Sequence, residues 1–451
     1  MSGSLEGVEV FVVGAGLAGL TAARDLIRHG AQVTVADARS RLGGRVWTIR
    51  DPFIEKQHAE SGGDLIDATQ LEIQRLAKEL GLTLTRILRG GFGYARPDAA
   101  GHTRIVRQPA ASGWNRLAGA IRDLAELYGL AEQRWDSPIA ADLARRSVAQ
   151  WLDEVKADAE LRETAAGLRG FFLADPEELS LLALVDEFAS RESPLEWSTY
   201  RIDGGNDRLT EALAAPLRER LKLNTEVVAV SHRGREVRLS LKDGRSLSQV
   251  KADYVLFTAP ATLLRRIPIT PALPAQQHEA IAKLKYGRGS KTLLQFSRRF
   301  WRVPGQLRAF GSSLPFGALW DGSEEQRGRA GILSLLAGGS ASDATRSLTA
   351  KDGMAGLARS LDWLGSGNAT LLASHHTVWE ADAWARGGYA FFDSSYDPAL
   401  RPWLARPAGR LFFAGEHTSV KWQGYMNGAV ESGRRAAAEI DASHRLDRLK
   451  L

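Results

Sequence analysis

The sequence predicts an α/β fold, and three observations carry that prediction. An apolar run, Val10-Phe11-Val12-Val13, breaks into Gly14-Ala15-Gly16-Leu17-Ala18-Gly19. A helical pattern from Leu20 to His29 follows and stops at Gly30. A second apolar run, Val33-Thr34-Val35-Ala36, then ends at the acid Asp37. Strand, glycine turn, helix, strand and acid together make the dinucleotide-binding unit of a Rossmann-like sheet. Gly14 permits the tight turn, Gly16 lets backbone approach a pyrophosphate, and Gly19 lets the helix pack close to the strand. The helix N-terminus offers N–H groups and a positive dipole end to phosphates, and Leu17 and Ala18 of the turn are counted with the cofactor-binding residues. Asp37 is placed to accept hydrogen bonds from a ribose.

Composition narrows the class. The 451 residues suffice for two or three domains with large cores. No apolar run approaches the roughly 18 residues of a membrane span. No charged-then-apolar leader opens the chain, so no secretory signal and a cytoplasmic location are expected. The formal charge of +6 is carried by scattered arginines, with no basic run interleaved with aromatics, so a nucleic-acid partner is not expected. With no cysteine, disulfides, thiolate metal sites and thiol catalysis are impossible. The nine histidines lack metal spacing, and the adjacent His375-His376 in a strand point to opposite faces. No metal is expected.

The segment after the acid sharpens the reading. Arg39-Ser40-Arg41-Leu42-Gly43-Gly44-Arg45 follows Asp37-Ala38 directly, and NAD enzymes do not usually carry a glycine-glycine-arginine there. Near the C-terminus come Thr377-Val378-Trp379-Glu380, Arg386-Gly387-Gly388-Tyr389, Arg410 to Thr418 with Gly415-Glu416 inside, and Trp422-Gln423-Gly424-Tyr425-Met426-Asn427-Gly428-Ala429. These stretches resemble the FAD-binding fingerprints of the flavin amine oxidase superfamily, the last of them the C-terminal flavin segment of monoamine oxidases.

The resemblance implies a Rossmann-like FAD-binding domain of glutathione-reductase type, with an interleaved α+β substrate domain. The FAD domain would comprise 7–84, 204–283 and 385–441, the substrate domain 85–203 and 284–384, and 442–451 a short tail. Gly43 and Gly44 would pass the diphosphate and Arg45 would pair with its charge, with Arg39 near the adenosine end. Gly62, Gly63, Asp64 and Leu65 would run beside the flavin ring. Val227 would meet the adenine through its backbone, and Glu416 the ribityl chain. A helix starting near Gly424 and running to Ile440 would face the flavin carbonyl edge, with Tyr425 and Met426 in its first turn.

For the substrate side, Tyr389 and Tyr425 match the aromatic pair flanking the flavin in monoamine oxidases. Trp379 would pack beside the ring, and Trp422 and Phe171 are further candidate walls. Phe172 and Trp197 are also candidates, although helical aromatics are more often core. Lys291 opens an alternating strand, and read by itself it is a strand-end lysine reaching solvent. The resemblance reverses that reading, since related oxidases hold a water against flavin N5 with a lysine there.

Departures matter equally. Gly388 stands where human-type monoamine oxidases carry the flavin-linking cysteine, so non-covalent FAD is expected. Leu65 stands where L-amino acid oxidases carry a carboxylate-binding arginine, which disfavours an α-amino acid substrate. The implied reaction is oxidation of a small-molecule amine to an imine, with O2 reduced to hydrogen peroxide. The alternatives are an L-amino acid oxidase, a desaturase or protoporphyrinogen-oxidase-like enzyme and, last, a flavoprotein without turnover. Homodimers are common among relatives.

Local patterns predict helices over 69–80 (Leu71, Leu76 and Leu80 inward), 114–127, 147–155, 160–173, 179–190, 207–220 and 350–364. Strands are predicted at 226–230, 236–241, 253–258 and 291–296.

Overall fold

A computed structural model describes residues 4–97, 103–106, 113–189, 198–303 and 307–449. Its first sheet is five-stranded and wholly parallel, in the order Leu221–Lys222, Gln32–Ala36, Glu9–Val13, Tyr254–Phe257, Leu411–Phe413. The continuous apolar runs of its strands follow from burial on both faces. Val10 and Val12 point into one core, shared with Leu20 and Leu26 of the helix Leu17–Arg28 and with Ala436 and Ile440 of the helix Met426–Leu449. Phe11 and Val13 point into the other. There Phe257 stacks on Phe413 with ring centroids 5.6 Å apart. An antiparallel meander, Thr225–Arg233, Glu236–Asp243 and Ser246–Ala252, covers that side with Val230, Val237 and Leu239.

The glycine turn behaves as its sequence requires. Gly14 has φ +113°, and a Cβ there would lie 2.7 Å from Thr258 Oγ1. A Cβ on Gly19 would lie 2.1 Å from the Gly14 carbonyl oxygen, so only glycine lets the helix sit this close to the strand.

The second sheet is seven-stranded, in the order Leu371–Val378, Gly289–Phe296, Gly331–Gly338, Ala318–Asp321, Ala309–Ser312, Gly93–Pro97, Thr103–Val106. Its pairings are antiparallel except that of 309–312 with 93–97. All seven strands come from 85–203 and 284–384, and all five of the parallel sheet from 7–84, 204–283 and 385–441. Thr199–Ile202 joins the two halves by pairing with both Ile66–Asp67 and Leu84–Ile87. A helical layer, Gly113–Leu130, Pro138–Ala144, Val148–Glu154, Ala159–Gly167 and Leu181–Ala189, buries Leu117, Ile121, Trp151, Leu182 and Val185. Ser147 and Gln150 form a reciprocal capping box at one of its starts.

Several elements differ from expectation. The helix expected over 160–173 breaks at Leu168, and Arg169–Phe172 forms a separate turn ended by Leu173 in the left-handed region. Asp175 to Glu178 forms a turn, and the next helix starts only at Leu181. In the helix Leu71–Glu79, Leu71 is half exposed, whereas Leu76 faces the core as expected, together with Ile73 and Ala77. The helix expected over 350–364 begins at Ser340 and kinks at Gly353. The last helix runs to Leu449, so 442–449 continues it and is no separate tail.

Candidate active site

A cavity of about 600 Å³ lies along the C-terminal edge of the parallel sheet. It is lined by Gly14, Gly16, Leu17, Ala18, Asp37, Ala38, Arg39, Gly43, Gly44, Arg45, Val227, Gly415 and Glu416. The helix Leu17–Arg28 starts there with Gly16 as an N-cap that makes no side-chain cap and with no acid in its first turn, so its leading N–H groups remain available to an anion. A Cβ on Gly16 would meet nothing within 4 Å, and one on Gly44 would lie 3.6 Å from Gly16 Cα. Two side-chain-free backbone turns therefore face each other across open space, as a diphosphate cradle requires. Asp37 is locked in place by accepting from the Ala15 and Arg39 backbone N–H groups, both at 2.8 Å. Burial raises its pKa, against those two hydrogen bonds. A bulge at Val228 interrupts the ladder beside Val227. These residues fit FAD.

Two charged residues take partners that motif reading does not supply. Arg39 makes a bidentate pair with Asp382, at 2.8 and 2.6 Å. Arg45 Nη1 donates to Glu416 Oε1 at 2.9 Å and to the Gly388 carbonyl at 2.7 Å. Glu416 Oε2 accepts from the Gly424 N–H at 3.0 Å. Burial works to raise the Glu416 pKa, but Arg45 holds it below the ordinary range. The residues implied for the diphosphate and the ribityl chain thus hold each other, and they tie the glycine-arginine turn to the last strand and the last helix.

A second cavity, of about 240 Å³, adjoins the first. The two share Arg45, Gly63, Gly388, Tyr389, Gly424, Tyr425 and Met426. Gly62, Asp64, Leu65, Lys291, Trp379 and Phe171 line the second. At Gly62 a Cβ would lie 1.9 Å from the Arg45 carbonyl oxygen, so the two glycine loops interlock. Trp379 Nε1 donates to the Ser61 carbonyl at 3.1 Å. Tyr389 Oη donates to the Phe171 carbonyl at 2.5 Å, which fixes its ring against the turn 169–172. Burial raises the Tyr389 pKa, so it stays a neutral phenol. Tyr425 Oη lies 3.3 Å from Glu187 Oε1. Trp422 lines neither cavity and packs edge-on against Tyr425, with centroids 5.9 Å apart. Phe172 is on the wall, and Trp197 lies outside the described residues.

Lys291 does not reach solvent. It is 2 % exposed, its Nζ donates to Asp64 Oδ2 at 2.9 Å, and it sits 4.2 Å from the centroid of Trp320. Burial lowers its pKa, and the Asp64 carboxylate opposes that shift. Asp64 also accepts from Arg201 Nε at 2.5 Å and from Trp320 Nε1 at 2.9 Å. Arg201 in turn pairs with Glu325 at 3.1 Å. Motif reading missed Arg201, Trp320 and Glu325. The available signals were an arginine inside an otherwise apolar strand start and an acid directly after a glycine pair.

Leu173, Phe92, Asp186 and Arg401 complete the walls, and none belongs to a motif. Asp186 is pushed up to about 6 by burial, against the pull of Arg401. Burial pulls Arg401 down to about 10. Among the described residues, no group of histidines and acids is arranged to hold a metal, and no helix is long and apolar enough to cross a membrane.

A parallel sheet with two glycine turns, a dinucleotide-sized cleft and an adjoining aromatic cavity define a flavin-dependent oxidoreductase. The sequence matches the family model for flavin-containing amine oxidoreductases over residues 17–441, and the chain belongs to that family. It is 26% identical to flavin-containing amine oxidase A of Sus scrofa, over 96% of this chain and 85% of that one. Among solved structures, cyclohexylamine oxidase from Brevibacterium oxydans superposes with a TM-score of 0.85 at 26% identity, covering 96% of this chain and 99% of that one. Wild-type putrescine oxidase bound to putrescine gives 0.83, also at 26% identity, with the same coverages. The protein is a flavoenzyme whose reaction is FAD-dependent oxidation of amines. With no cysteine in the chain, a cysteinyl link to the flavin is ruled out.

Proposed function

We propose that the second cavity is the amine site, with Tyr389 and Tyr425 as the walls between which the amine is held and Lys291 as the cation at its flavin end. The observation that carries this reading is the junction: Gly63, Tyr389, Gly424, Tyr425 and Met426 line both cavities, so a group filling the first would end where the second begins. When bound, FAD supplies the two-electron oxidation of the amine to an imine, with O2 taking the electrons as hydrogen peroxide.

The protein contributes selection, orientation and dryness. Phe92, Phe171, Phe172, Leu173 and Trp320 make the amine cavity predominantly apolar, which disfavours an ammonium and favours the free amine. The tyrosine faces supply a weak attraction for the nitrogen end. Tyr389 is held by a backbone carbonyl and remains un-ionised, so it orients and does not take the proton. Glu416 holds Arg45, a residue that lines both cavities. The cavity volume suits a compact, largely hydrophobic amine.

Anaerobic mixing of the FAD-loaded protein with aryl-alkyl, cycloalkyl, poly- and α-amino substrates tests the reading. Bleaching of the flavin band by a compact apolar amine, with colour and peroxide returning in air, is the expected result. Bleaching by α-amino acids alone would overturn the substrate assignment. Bleaching without recovery in air would remove oxygen as the acceptor.

A further inference from the structure

The most unusual feature beside the amine cavity is a buried ionic cluster. Asp64, on the loop after the glycine pair, stands between two cations: Lys291 from the second sheet and Arg201 from the strand joining the two halves. Lys291, Asp64 and Arg201 are 2%, 7% and 2% exposed. Glu325 closes the row at 3.1 Å from Arg201, so two carboxylates balance two cations. Trp320 serves two members at once: its face lies against Lys291 Nζ and its Nε1 donates to Asp64. The bonds from Arg201 and Trp320 anchor the Asp64 carboxylate, and the bond from Lys291 completes the row.

We propose that Asp64 is a positioning residue for Lys291: anchored by Arg201 and Trp320, its carboxylate fixes the lysine Nζ on the wall of the amine cavity and retains its positive charge there. This rests on the reading that Lys291 stands at the flavin end of that cavity. A buried ammonium on an unbranched four-carbon stem, set against the face of Trp320 and opposite Leu336, has strong reason to lose its proton. One fixed carboxylate at 2.9 Å supplies the opposing field, and it does so through a side chain that cannot swing away because Arg201 holds its other oxygen. A fixed cation at that wall stabilises negative charge developing on the cofactor or on reduced oxygen without reorganisation.

The other charged groups facing Lys291 leave Asp64 as its sole ion-pair partner among the described residues. Glu60 is pushed up to about 8, by burial and by Asp64, and so is protonated at neutral pH. Glu325 is held by Arg201. On the flanking strand, His375 hydrogen-bonds Thr377, and burial lowers its pKa. Next to Trp320, Asp321 pairs with Arg302. On the two neighbouring strands, the residues directly opposite Lys291 are Leu336 and Thr377, both uncharged.

The test is a double-mutant cycle read by the flavin midpoint potential from about pH 6 to about pH 10, in FAD-loaded Asp64→Asn, Lys291→Met, the double variant and the parent. If Asp64 acts through Lys291, Asp64→Asn moves the lysine-dependent inflection to lower pH by at least about one unit, a tenfold change in its proton affinity. In the Lys291→Met background the same substitution then leaves the profile unchanged. Asp64→Ser replaces Asp64→Asn in the cycle if the amide does not fold, and the same result is expected. An equal shift of potential in both backgrounds would overturn the proposal, because Asp64 would then act on the flavin directly. An unchanged profile in Asp64→Asn would overturn it as a merely structural contact. If Lys291→Met itself leaves the potential and its pH dependence untouched, the placement of Lys291 at the flavin falls, and the proposal falls with it.

Discussion

Arg45, which lines both cavities, and Glu416, which lines the first, lie 371 residues apart in the chain and meet through a 2.9 Å charge-assisted hydrogen bond. Glu416 is buried, whereas Arg45 retains partial access to the cleft. Glu416→Gln keeps the shape and removes the charge. The expected outcome is a loss of about 3 kcal/mol, because the guanidinium is left without its anion. A lower melting temperature and a fall in flavin retained through gel filtration would show it; retention and melting equal to the parent would contradict the assigned role.

Leu173 and Gly388 form a lock of a different kind. Leu173 adopts φ +55°, and its side chain fills the space against Gly388, where a Cβ would come within 2.2 Å of Leu173 Cδ1. Gly388→Ala is therefore expected to disturb the amine cavity wall and to lower kcat/KM by about tenfold, equivalent to roughly 1.4 kcal/mol. Trimming the opposing residue, in Gly388→Ala with Leu173→Ala, should recover part of that loss. Steady-state kinetics of Gly388→Ala, Leu173→Ala and the double variant checks it, and an additive result would show that the two side chains do not compete for one space.

The tyrosine walls are separable by chemistry. Tyr389→Phe removes only the hydroxyl that bonds the Phe171 carbonyl, for about 1 kcal/mol and a change of less than about tenfold in flavin reduction. Tyr389→Ala and Tyr425→Ala also remove the aromatic face, and each is expected to slow anaerobic flavin reduction by more than about tenfold. Stopped-flow reduction distinguishes these. A Phe variant as slow as the Ala variant would assign the role to the hydroxyl.

Glu60 predicts a pH dependence of stability. It is buried, accepts from Thr48 Oγ1 and the Asn206 N–H, and is pushed up to about 8 by burial and the neighbouring Asp64. The folded state thus holds a proton that the unfolded chain releases near pH 4.5. Its contribution is fully present below about pH 4.5 and is lost as pH rises through about 8, at a slope of about 1.4 kcal/mol per pH unit between those limits. Glu60→Gln should flatten the denaturant-unfolding free energy across that window and raise stability above about pH 8. A steeper dependence in the variant would contradict the assignment.

Local sequence determined the parallel sheet, its two glycine turns and the identity of the cofactor. A Cβ at Gly19 is excluded by the Gly14 carbonyl oxygen of the same turn, and Gly14 takes a positive φ that the tight turn requires; the apolar runs are continuous because both sheet faces are covered. Gly14, Gly16 and Asp37 line the first cavity for the same reason. Trp422 did not reach either cavity, because its position one turn before the last helix directs it against Tyr425. The turn 169–172 ends at Leu173 in the left-handed region, where its side chain packs on Gly287, Gly289 and Gly388, segments more than a hundred residues away that the local pattern does not show.

The charges were decided by tertiary structure alone. Nothing near Lys291 in the sequence says that it is buried, and nothing near Asp64 says that Arg201, Lys291 and Trp320 converge on it. Short-range pattern encodes what a backbone turn or a helix face needs. It does not encode which ion will find its counter-ion when two sheets and a joining strand close over one cavity, because that pairing is set by where their ends meet in space.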